Sequence, residues 1–191
     1  MKHLAGTTAS CKPFLTRPTG IDNYCVSMWR YIYGDYLVHH HVDAVMISGR
    51  WEEADFPELG RTISWMQQQG ATVILFGPVV EFDVPLPRLL AMSLRDHEPA
   101  LIDSHSNTEP LQTDKKLSKF ARSQWKVRYV SAYENLCVTN LKTVATALFQ
   151  TSFGCPVYAA RGVPLLFDTD HFTPQGSILY ARTMRALNQL P

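Results

Sequence analysis

The sequence lacks an excess of charge and a long apolar run, and each absence excludes a class of protein. Its 18 Lys and Arg residues balance 17 Asp and Glu to a formal net charge of +1, so nucleic acid is not expected as a partner. No apolar run approaches the roughly 18 residues of a membrane span, and the first residues are too short an apolar stretch for a signal peptide. With 191 residues, 46% of them hydrophobic, the composition predicts a single globular domain over 1–191.

Closely spaced cysteine pairs are also absent, so the sequence gives no zinc or redox motif of the C-x-x-C kind. The four cysteines form two local groups, Cys11 with Cys25 and Cys137 with Cys155. Their even number and local spacing favour two disulfides and an oxidising compartment. Buried free thiols are the alternative. Because the sequence carries no export signal, we expect a further segment upstream of Met1.

Helical and strand-like patterns alternate along the chain, which predicts an α/β protein with a parallel sheet covered by helices on both faces. Two runs that are apolar on both faces predict buried strands at Asp43 to Gly49 and Ala71 to Gly77. Weaker strands are predicted at Leu4 to Ala9, Val127 to Val130 and Pro164 to Phe167. Five helices are predicted, at Ile21 to His40, around Leu59, Ile63 and Met66 up to Gly70, at Leu89 to Leu94, at Asp114 to Trp125 and at Pro174 to Leu187. In the last helix, we expect Ile178, Ala181 and Leu187 to face inward. A loop over Pro78 to Pro87 and an exposed polar stretch over Glu98 to Thr113 complete the prediction.

The segment with the clearest chemistry lies near the C-terminus, where Asp168 and His171 are three residues apart. An apolar run leads into them, and Thr173 and Pro174 then begin a helix as N-cap and first-turn proline. A carboxylate three residues before an imidazole can accept its ring N–H and fix its tautomer, as in the acid–base half of a serine hydrolase. The alternative is that Asp168 and Asp170 only form a turn.

These features together resemble an SGNH-type hydrolase domain, specifically the extracytoplasmic domain that follows the membrane acyltransferase-3 module in bacterial O-acetylating enzymes. The matching features are the cysteine pair around Pro13, the strand ending in Gly49-Arg50-Trp51, the segment Phe76 to Phe82 with Leu86-Pro87-Arg88 behind it, the second cysteine pair, and Phe167-Asp168-Thr169-Asp170-His171. The resemblance implies a three-layer α/β/α, flavodoxin-like, doubly wound sheet. It also implies that His171 is a general base, oriented by Asp168, for a serine that attacks an acyl carbonyl.

The Gly-Asp-Ser motif that carries this serine in the family is absent from the sequence. Gly34-Asp35-Tyr36 has tyrosine at the required position, and Ser104, in Ile102-Asp103-Ser104-His105, is better explained as part of a polar loop. The motif normally follows the first, central strand of the sheet. We therefore expect the domain to be N-terminally incomplete and its sheet to lack that strand.

The family's oxyanion-hole asparagine is not evident either. Gly49, Arg50 and Trp51 are the substitutes that the sequence offers, with a backbone N–H from Gly49 and the charge of Arg50 as stabilisers of an oxyanion. Equally open is the interpretation that Arg50 pairs with Glu52 or Glu53 and that Trp51 is an aromatic at the rim. The run His39-His40-His41 is interpreted as solvated side chains, because consecutive residues at a helix end point in different directions. No metal site and no cofactor are predicted.

The resemblance implies acyl transfer or ester hydrolysis on acyl, specifically acetyl, esters of cell-envelope carbohydrate such as lipopolysaccharide O-antigen. It implies a location at the periplasmic face of the bacterial inner membrane, beside an acyltransferase-3 module that is fused upstream or acts in trans. The substrate would be an acylated carbohydrate. The alternative is a non-catalytic carbohydrate-binding or interaction module that keeps the fold without the nucleophile.

Overall fold

The computed structural model describes residues 4–6, 11–15, 23–138, 151 and 154–189. The chain divides into two compact units. The first unit comprises Met1–Phe76 and Lys116–Tyr129, and the second comprises Gly77–Lys115 and Val130–Pro191.

Two helical stretches of the first unit follow the predicted apolar periodicity. Helix α1 (Asn23–Tyr31) continues through a π-helical turn (Ile32–Tyr36) into the short helix α2 (Leu37–His39), which confirms the helix expected over 21–40 among the described residues. After a 3₁₀ turn (Glu53–Asp55), helix α3 (Phe56–Gln68) buries the three predicted apolar positions. Gly70 follows α3 with a φ of +85°, the left-handed conformation that glycine adopts at a helix C-terminus.

The sheet of the first unit has the order β1 (Ala44–Ile47), β2 (Thr72–Phe76) and β5 (Arg128–Val130). Strands β1 and β2 pair in parallel, with Val45 opposite Val73. Strand β2 lies between the other two, and its residues Val73, Ile74 and Leu75 are buried on both faces as predicted. The expectation that β1 is equally buried is wrong at Met46, which is 51% exposed, because β1 is an edge strand among the described strands.

The core of the first unit packs the helices onto this sheet. Its buried members come from the α1 to α2 stretch, α3, the sheet and the segment after residue 116: Tyr33, Leu37, Ile47, Trp51, Phe56, Leu59, Ile63, Met66, Val73, Leu75, Leu117, Ala121, Val127 and Tyr129. The Cys11–Cys25 disulfide ties the N-terminal segment to α1. Leu4 to Gly6 form no strand, and the rest of the strand expected over Leu4 to Ala9 lies outside the described residues.

The second unit has two small antiparallel pairs. Strand β3 (Glu81–Phe82) pairs with β4 (Ser106–Asn107), and β6 (Tyr158–Ala160) pairs with β7 (Val163–Pro164). Its helices are α4 (Leu86–Asp96), α5 (Ala100–Ser104) and α7 (Pro174–Ala186), with a π-helical turn at Glu134–Val138. The Cys137–Cys155 disulfide also lies here. Both predicted disulfides are thus confirmed, and the interpretation as free thiols is wrong.

The stretch from 98 to 113 is more ordered than its polar composition predicts. It holds α5, β4 and the beginning of α6 (Glu109–Phe120), which starts before the predicted Asp114 and ends in a π-helical turn at Ala121–Trp125. Ile102 of α5 is 2% exposed. Asp114 is also buried, and its carboxylate accepts a hydrogen bond from Ser131 Oγ (2.8 Å), which offsets part of the cost of burying it.

Helix α7 is predicted correctly in extent but not in orientation. The residues expected to face inward are exposed, with Ile178 at 51% and Leu187 at 41%, and Ala181 is exposed as well. The buried residues are Gly176, Tyr180 and Met184, which are spaced at i, i+4 and i+8. The rotation follows from Gly176, where an added Cβ would lie 2.3 Å from the carbonyl oxygen of Leu165. Only a glycine allows the helix to approach the preceding segment this closely. No helix among the described residues is both long and apolar enough to cross a membrane.

Candidate acid–base site

The candidate site is a tight loop between β7 and α7. Leu166 and Phe172 form an antiparallel bridge, and the amide of Phe167 donates to the carbonyl oxygen of His171 (2.9 Å). Farther from the tip of the loop, the amide of Thr173 donates to the carbonyl oxygen of Leu165 (3.0 Å). The chain therefore turns back on itself and presents residues 168 to 171 at its tip.

The C-terminal side of this loop is fixed by the cap of α7. The Thr173 hydroxyl accepts from the amide of Gly176 (3.0 Å) and donates to the carbonyl oxygen of Pro164 (2.9 Å). Thr173 is 8% exposed. This is the N-cap arrangement that the Thr-Pro pair predicts, and it joins the start of the helix to the strand that precedes the loop.

Asp168 organises the tip of the loop. Its Oδ1 accepts from the backbone amides of Asp170 (3.0 Å) and His171 (2.8 Å). The loop is also tied to neighbouring segments through its own carbonyls. The carbonyl oxygen of Asp168 accepts from the amide of Leu86, and that of Thr169 accepts from the amide of Phe82. One carboxylate oxygen of Asp168 is thus used by the loop, and the other, Oδ2, is left for a side chain.

That side chain is His171. Its Nδ1 lies 2.8 Å from Asp168 Oδ2, and because a carboxylate only accepts hydrogen bonds, Nδ1 carries the proton. The neutral imidazole then has its lone pair on Nε2, for which the described residues provide no hydrogen-bond partner. The ring stacks on Phe167 (centroids 5.7 Å apart, planes at 25°) and its side chain is 66% exposed. An oriented imidazole with a free basic nitrogen toward solvent is able to take a proton from a bound hydroxyl.

The pKa of Asp168 is lower than the ordinary value of an aspartate. Partial burial acts to raise it, but the two backbone amides and the imidazole of His171 stabilise the charged form and together outweigh burial. The carboxylate therefore remains ionised and keeps the imidazole in the Nδ1–H tautomer.

Asp170, interpreted from the sequence only as a turn former, also contacts the imidazole. Its Oδ1 lies 3.1 Å from His171 Nδ1 and accepts from the Thr169 hydroxyl (3.1 Å). Ligand atoms of Asp168, Asp170 and His171 lie within 4.8 Å of one another, the one such group of three among the described residues. The hydrogen bonds within the loop account for this cluster, so it gives no reason to assign a metal.

Gly49, Arg50 and Trp51 lie in the first unit, directly after β1. Trp51 is 3% exposed, its Nε1–H donates to the carbonyl oxygen of Phe76 (2.8 Å), and its ring covers Gly49. The interpretation of Trp51 as an aromatic at the rim is therefore wrong, because the indole joins the ends of β1 and β2 inside the unit.

The acidic residues that follow have lysines as their ion-pair partners. Glu52 pairs with Lys12 and Glu53 with Lys116. The roles of Gly49, Arg50 and Trp51 toward a substrate remain predictions.

The remaining sequence candidates have ordinary structural surroundings. The Ser104 hydroxyl donates to the carbonyl oxygen of Leu101 (2.8 Å) within α5. Gly34, Asp35 and Tyr36 lie in the π-helical turn after α1. The imidazoles of His39, His40 and His41 are exposed, and the Nδ1 atoms of the first two face backbone carbonyls of the preceding turn, as expected of solvated histidines.

The chain thus has a parallel α/β unit and a carboxylate–imidazole pair just before the C-terminal helix. A comparison with protein families identifies the family. The sequence model described as "SGNH domain (fused to AT3 domains)" matches residues 2–186, and the chain belongs to this family. The resemblance drawn from the sequence is confirmed.

A solved structure supports the same fold. The chain is similar to the periplasmic domain of the lipopolysaccharide acetyltransferase of Salmonella ser. Paratyphi A, with a TM-score of 0.70 and 18% sequence identity. The similarity covers 94% of this chain and 69% of that one. No curated protein matches the chain. At this identity the likeness establishes the fold, here a mixed α/β architecture with a parallel sheet flanked by helices.

Proposed function

We propose that the chain is part of an O-acyltransferase or esterase domain that acts on acyl esters of cell-envelope carbohydrate. The observation that carries the proposal is the 2.8 Å hydrogen bond between Asp168 Oδ2 and His171 Nδ1. It leaves Nε2 as the basic nitrogen on an exposed imidazole. In the proposed reaction, Nε2 takes the proton of a serine hydroxyl as the serine oxygen bonds to the acyl carbon.

The same imidazole then completes the transfer. As the tetrahedral intermediate collapses, Nε2–H gives its proton to the departing carbohydrate oxygen, which leaves an acyl-serine. A second hydroxyl, from water or from an acceptor sugar, then attacks the acyl carbon as its proton passes to Nε2. When this second intermediate collapses, Nε2–H returns the proton to the departing serine oxygen, and the free serine hydroxyl and the neutral imidazole are restored. Asp168 stabilises the imidazolium formed in each step and holds the ring in place.

The serine is proposed to come from a Gly-Asp-Ser block that this sequence does not contain. Ser104 is unsuitable because its hydroxyl donates within its own helix, and Tyr36 occupies the third position of Gly34-Asp35-Tyr36. The outer edge of β1 has no partner strand among the described residues. We propose that a strand of the same block pairs there, so that 1–191 is the C-terminal part of one domain.

The family and the disulfides support a proposal for the location and the partner. Family members are fused to AT3 domains, so a membrane acyltransferase-3 module is the proposed partner, covalently upstream or in trans. The similar solved structure is a periplasmic domain, and two disulfides require an oxidising compartment. We therefore propose the periplasmic face of the bacterial inner membrane, with an acylated carbohydrate as substrate.

The test is to prefix the chain with a strand, Gly-Asp-Ser turn and helix from its own locus or from a close relative. We expect the restored protein to unfold at a higher temperature, because β1 gains a ladder of backbone hydrogen bonds. It should also hydrolyse 4-nitrophenyl acetate, whereas the chain alone should not. A serine-to-alanine variant of the added motif is the matched control. A restored protein that folds cooperatively and binds carbohydrate without any ester turnover would contradict the proposal and favour a non-catalytic binding module.

A further inference from the structure

A second carboxylate–imidazole pair lies beside the candidate site. His105 Nδ1 is 2.7 Å from Asp83 Oδ1, and the amide of Asp83 donates to the carbonyl oxygen of His105 (3.0 Å). One side-chain hydrogen bond and one backbone hydrogen bond thus join Asp83 and His105, and we call this pair the clasp. As for His171, the contact with a carboxylate places the proton of His105 on Nδ1. Its Nε2 and the second oxygen of Asp83 have no hydrogen bond from the described residues, so both are available as acceptors.

Strand β3 places this pair relative to His171. On one edge of β3, Phe82 lies opposite Ser106 of β4, which directly follows His105. On the other edge, the amide of Phe82 donates to the carbonyl oxygen of Thr169 (2.9 Å). The His105 segment and the Asp168 loop are therefore the two neighbours of one strand. Two interstrand spacings separate them by about 10 Å.

The clasp faces solvent. Phe82 is 4% exposed and its side chain lies in the core of the unit. Asp83 is the next residue and lies in a bend after β3. Its side chain is 67% exposed, and that of His105 is 29% exposed. His171 is exposed as well, so both imidazoles are accessible to solvent.

The charges around the two imidazoles indicate which kind of ligand could bind there. Asp83, Asp168 and Asp170 contribute three carboxylates, and the imidazoles are neutral while Nε2 acts as an acceptor. A phosphate or carboxylate ligand would meet like charge there. Hydroxyl groups are suited to it, because each can donate to an imidazole nitrogen or to a carboxylate oxygen.

We propose that Asp83 and His105 form a subsite for the hydroxyl groups of a neutral sugar, and that this subsite holds the carbohydrate while its ester or acceptor oxygen lies at His171. The inference rests on the proposed function and names its carbohydrate-binding residues. Asp83 and His105 are positioning residues. They hold substrate through hydroxyls that do not react, and His171 alone handles the proton.

Binding is tested on the chain itself, independently of turnover. The probe is a mixture of the methyl α-glycosides of glucose, mannose, galactose and rhamnose, followed by NMR of the backbone amides and of ¹⁵N-labelled histidine. We expect the signals of Asp83 and His105 to shift, with a dissociation constant of about 1 mM, because the subsite offers only a few exposed hydrogen bonds. The shifts should disappear in His105→Ala and weaken in Asp83→Asn.

A matched control is His97→Asn, which removes another exposed imidazole of the same unit. His97 has a φ of +55°, a conformation that asparagine tolerates. The His97→Asn variant should show the same sugar-induced shifts as the unchanged chain. Absence of shifts at His105 up to about 100 mM glycoside, a hundredfold above the expected affinity, would overturn the subsite. Tighter binding of glucose 6-phosphate than of the neutral glycosides would overturn it too.

Kinetics of the serine-restored protein separate positioning from catalysis. For a mono-O-acetylated methyl glycoside, His105→Ala should raise KM about tenfold, the effect of losing one good hydrogen bond, and leave kcat nearly unchanged. For 4-nitrophenyl acetate, which has no sugar, both constants should stay the same. A His105→Ala variant that loses turnover of both esters equally would contradict a positioning role. If the restored protein turns over neither ester, the proposed function fails and the binding experiment alone decides the subsite.

Discussion

Replacing Asp168 by asparagine tests the geometry of the site without requiring the missing serine. Asparagine has the same shape, and its Oδ1 still accepts the amides of Asp170 and His171 that now bond to the carboxylate. Its Nδ2 group donates hydrogen bonds, so it cannot accept the Nδ1–H of His171. The substitution therefore keeps the loop and weakens the preference of the imidazole for the Nδ1–H tautomer.

The size of the effect follows from the exposure of the pair. A hydrogen bond to a charged group contributes about 1.5–3 kcal/mol net. The side chains of His171 and Asp168 are 66% and 34% exposed, and solvent screening reduces the contribution to about 1 kcal/mol. Because 1.36 kcal/mol corresponds to a factor of ten, the ratio of the Nδ1–H to the Nε2–H tautomer should fall about fivefold in Asp168→Asn.

The assay is ¹⁵N NMR of histidine-labelled chain at a pH where His171 is neutral, with the His171→Ala spectrum providing the assignment. Asp170→Asn is the control, because Asp170 Oδ1 is farther from Nδ1 than is Asp168 Oδ2, at 3.1 against 2.8 Å, and should change the ratio less. An unchanged ratio in Asp168→Asn, or a larger change in Asp170→Asn, would refute the assignment of Asp168 as the orienting carboxylate.

Three further predictions concern the loop and the disulfides. Gly176→Ala should lower the free energy of unfolding by about 1–3 kcal/mol in urea titrations, because the new Cβ would lie 2.3 Å from the Leu165 carbonyl oxygen; Gly34→Ala, with no atom closer than 4.0 Å, is the control and should cost nothing. The lowered pKa of Asp168 contributes stability that is present above the ordinary aspartate pKa of about 3.9 and is lost as the pH falls through the lower folded value. The main titration step of the ¹³C signal of the Asp168 carboxyl group should therefore have its midpoint below about 3.9, and a midpoint at or above that value would contradict this. Non-reducing peptide mapping of periplasmic material should recover Cys11 with Cys25 and Cys137 with Cys155, and four free thiols there would remove the case for an oxidising compartment.

The elements that could be predicted from the sequence are those with a long apolar pattern. Helix α3 repeats its apolar residues over Leu59, Ile63 and Met66, and all three are buried. Strand β2 holds the apolar run Val73 to Phe76, which ends at Gly77. A local pattern is sufficient in both cases, because the helical spacing of α3 and the continuous apolar run of β2 each predict one kind of element.

Elements fixed by contacts with distant parts of the chain could not be predicted in this way. Strands β3 and β4 have two residues each, too few for any period, and form only because the two segments meet. The rotation of α7 depends on the contact of Gly176 with the Leu165 carbonyl, whereas the apolar residues Ile178 and Leu187 suggest the opposite face.

In the candidate site as well, contacts between neighbouring residues could be predicted from the sequence and contacts between distant segments could not. The sequence predicts the hydrogen bond that His171 donates to Asp168, because a spacing of three residues brings the two together within one turn. The clasp of Asp83 and His105 spans 22 residues, and no local pattern indicates it. The sequence predicts a turn at Asp170, but the 3.1 Å contact of its Oδ1 with His171 Nδ1 depends on the backbone path of the folded loop.

The most direct test of the central claim, that His171 is the base for a serine nucleophile, is the rate at which a fluorophosphonate probe labels the serine of the restored protein. This reaction needs an activated hydroxyl and no particular sugar. We expect labelling of the added serine to slow by at least about 10² in His171→Ala, the usual contribution of a general base. Asp168→Asn should slow it by as much or less, and Ser104 should remain unlabelled throughout. Labelling of the added serine at the full rate in a well-folded His171→Ala protein would contradict the account.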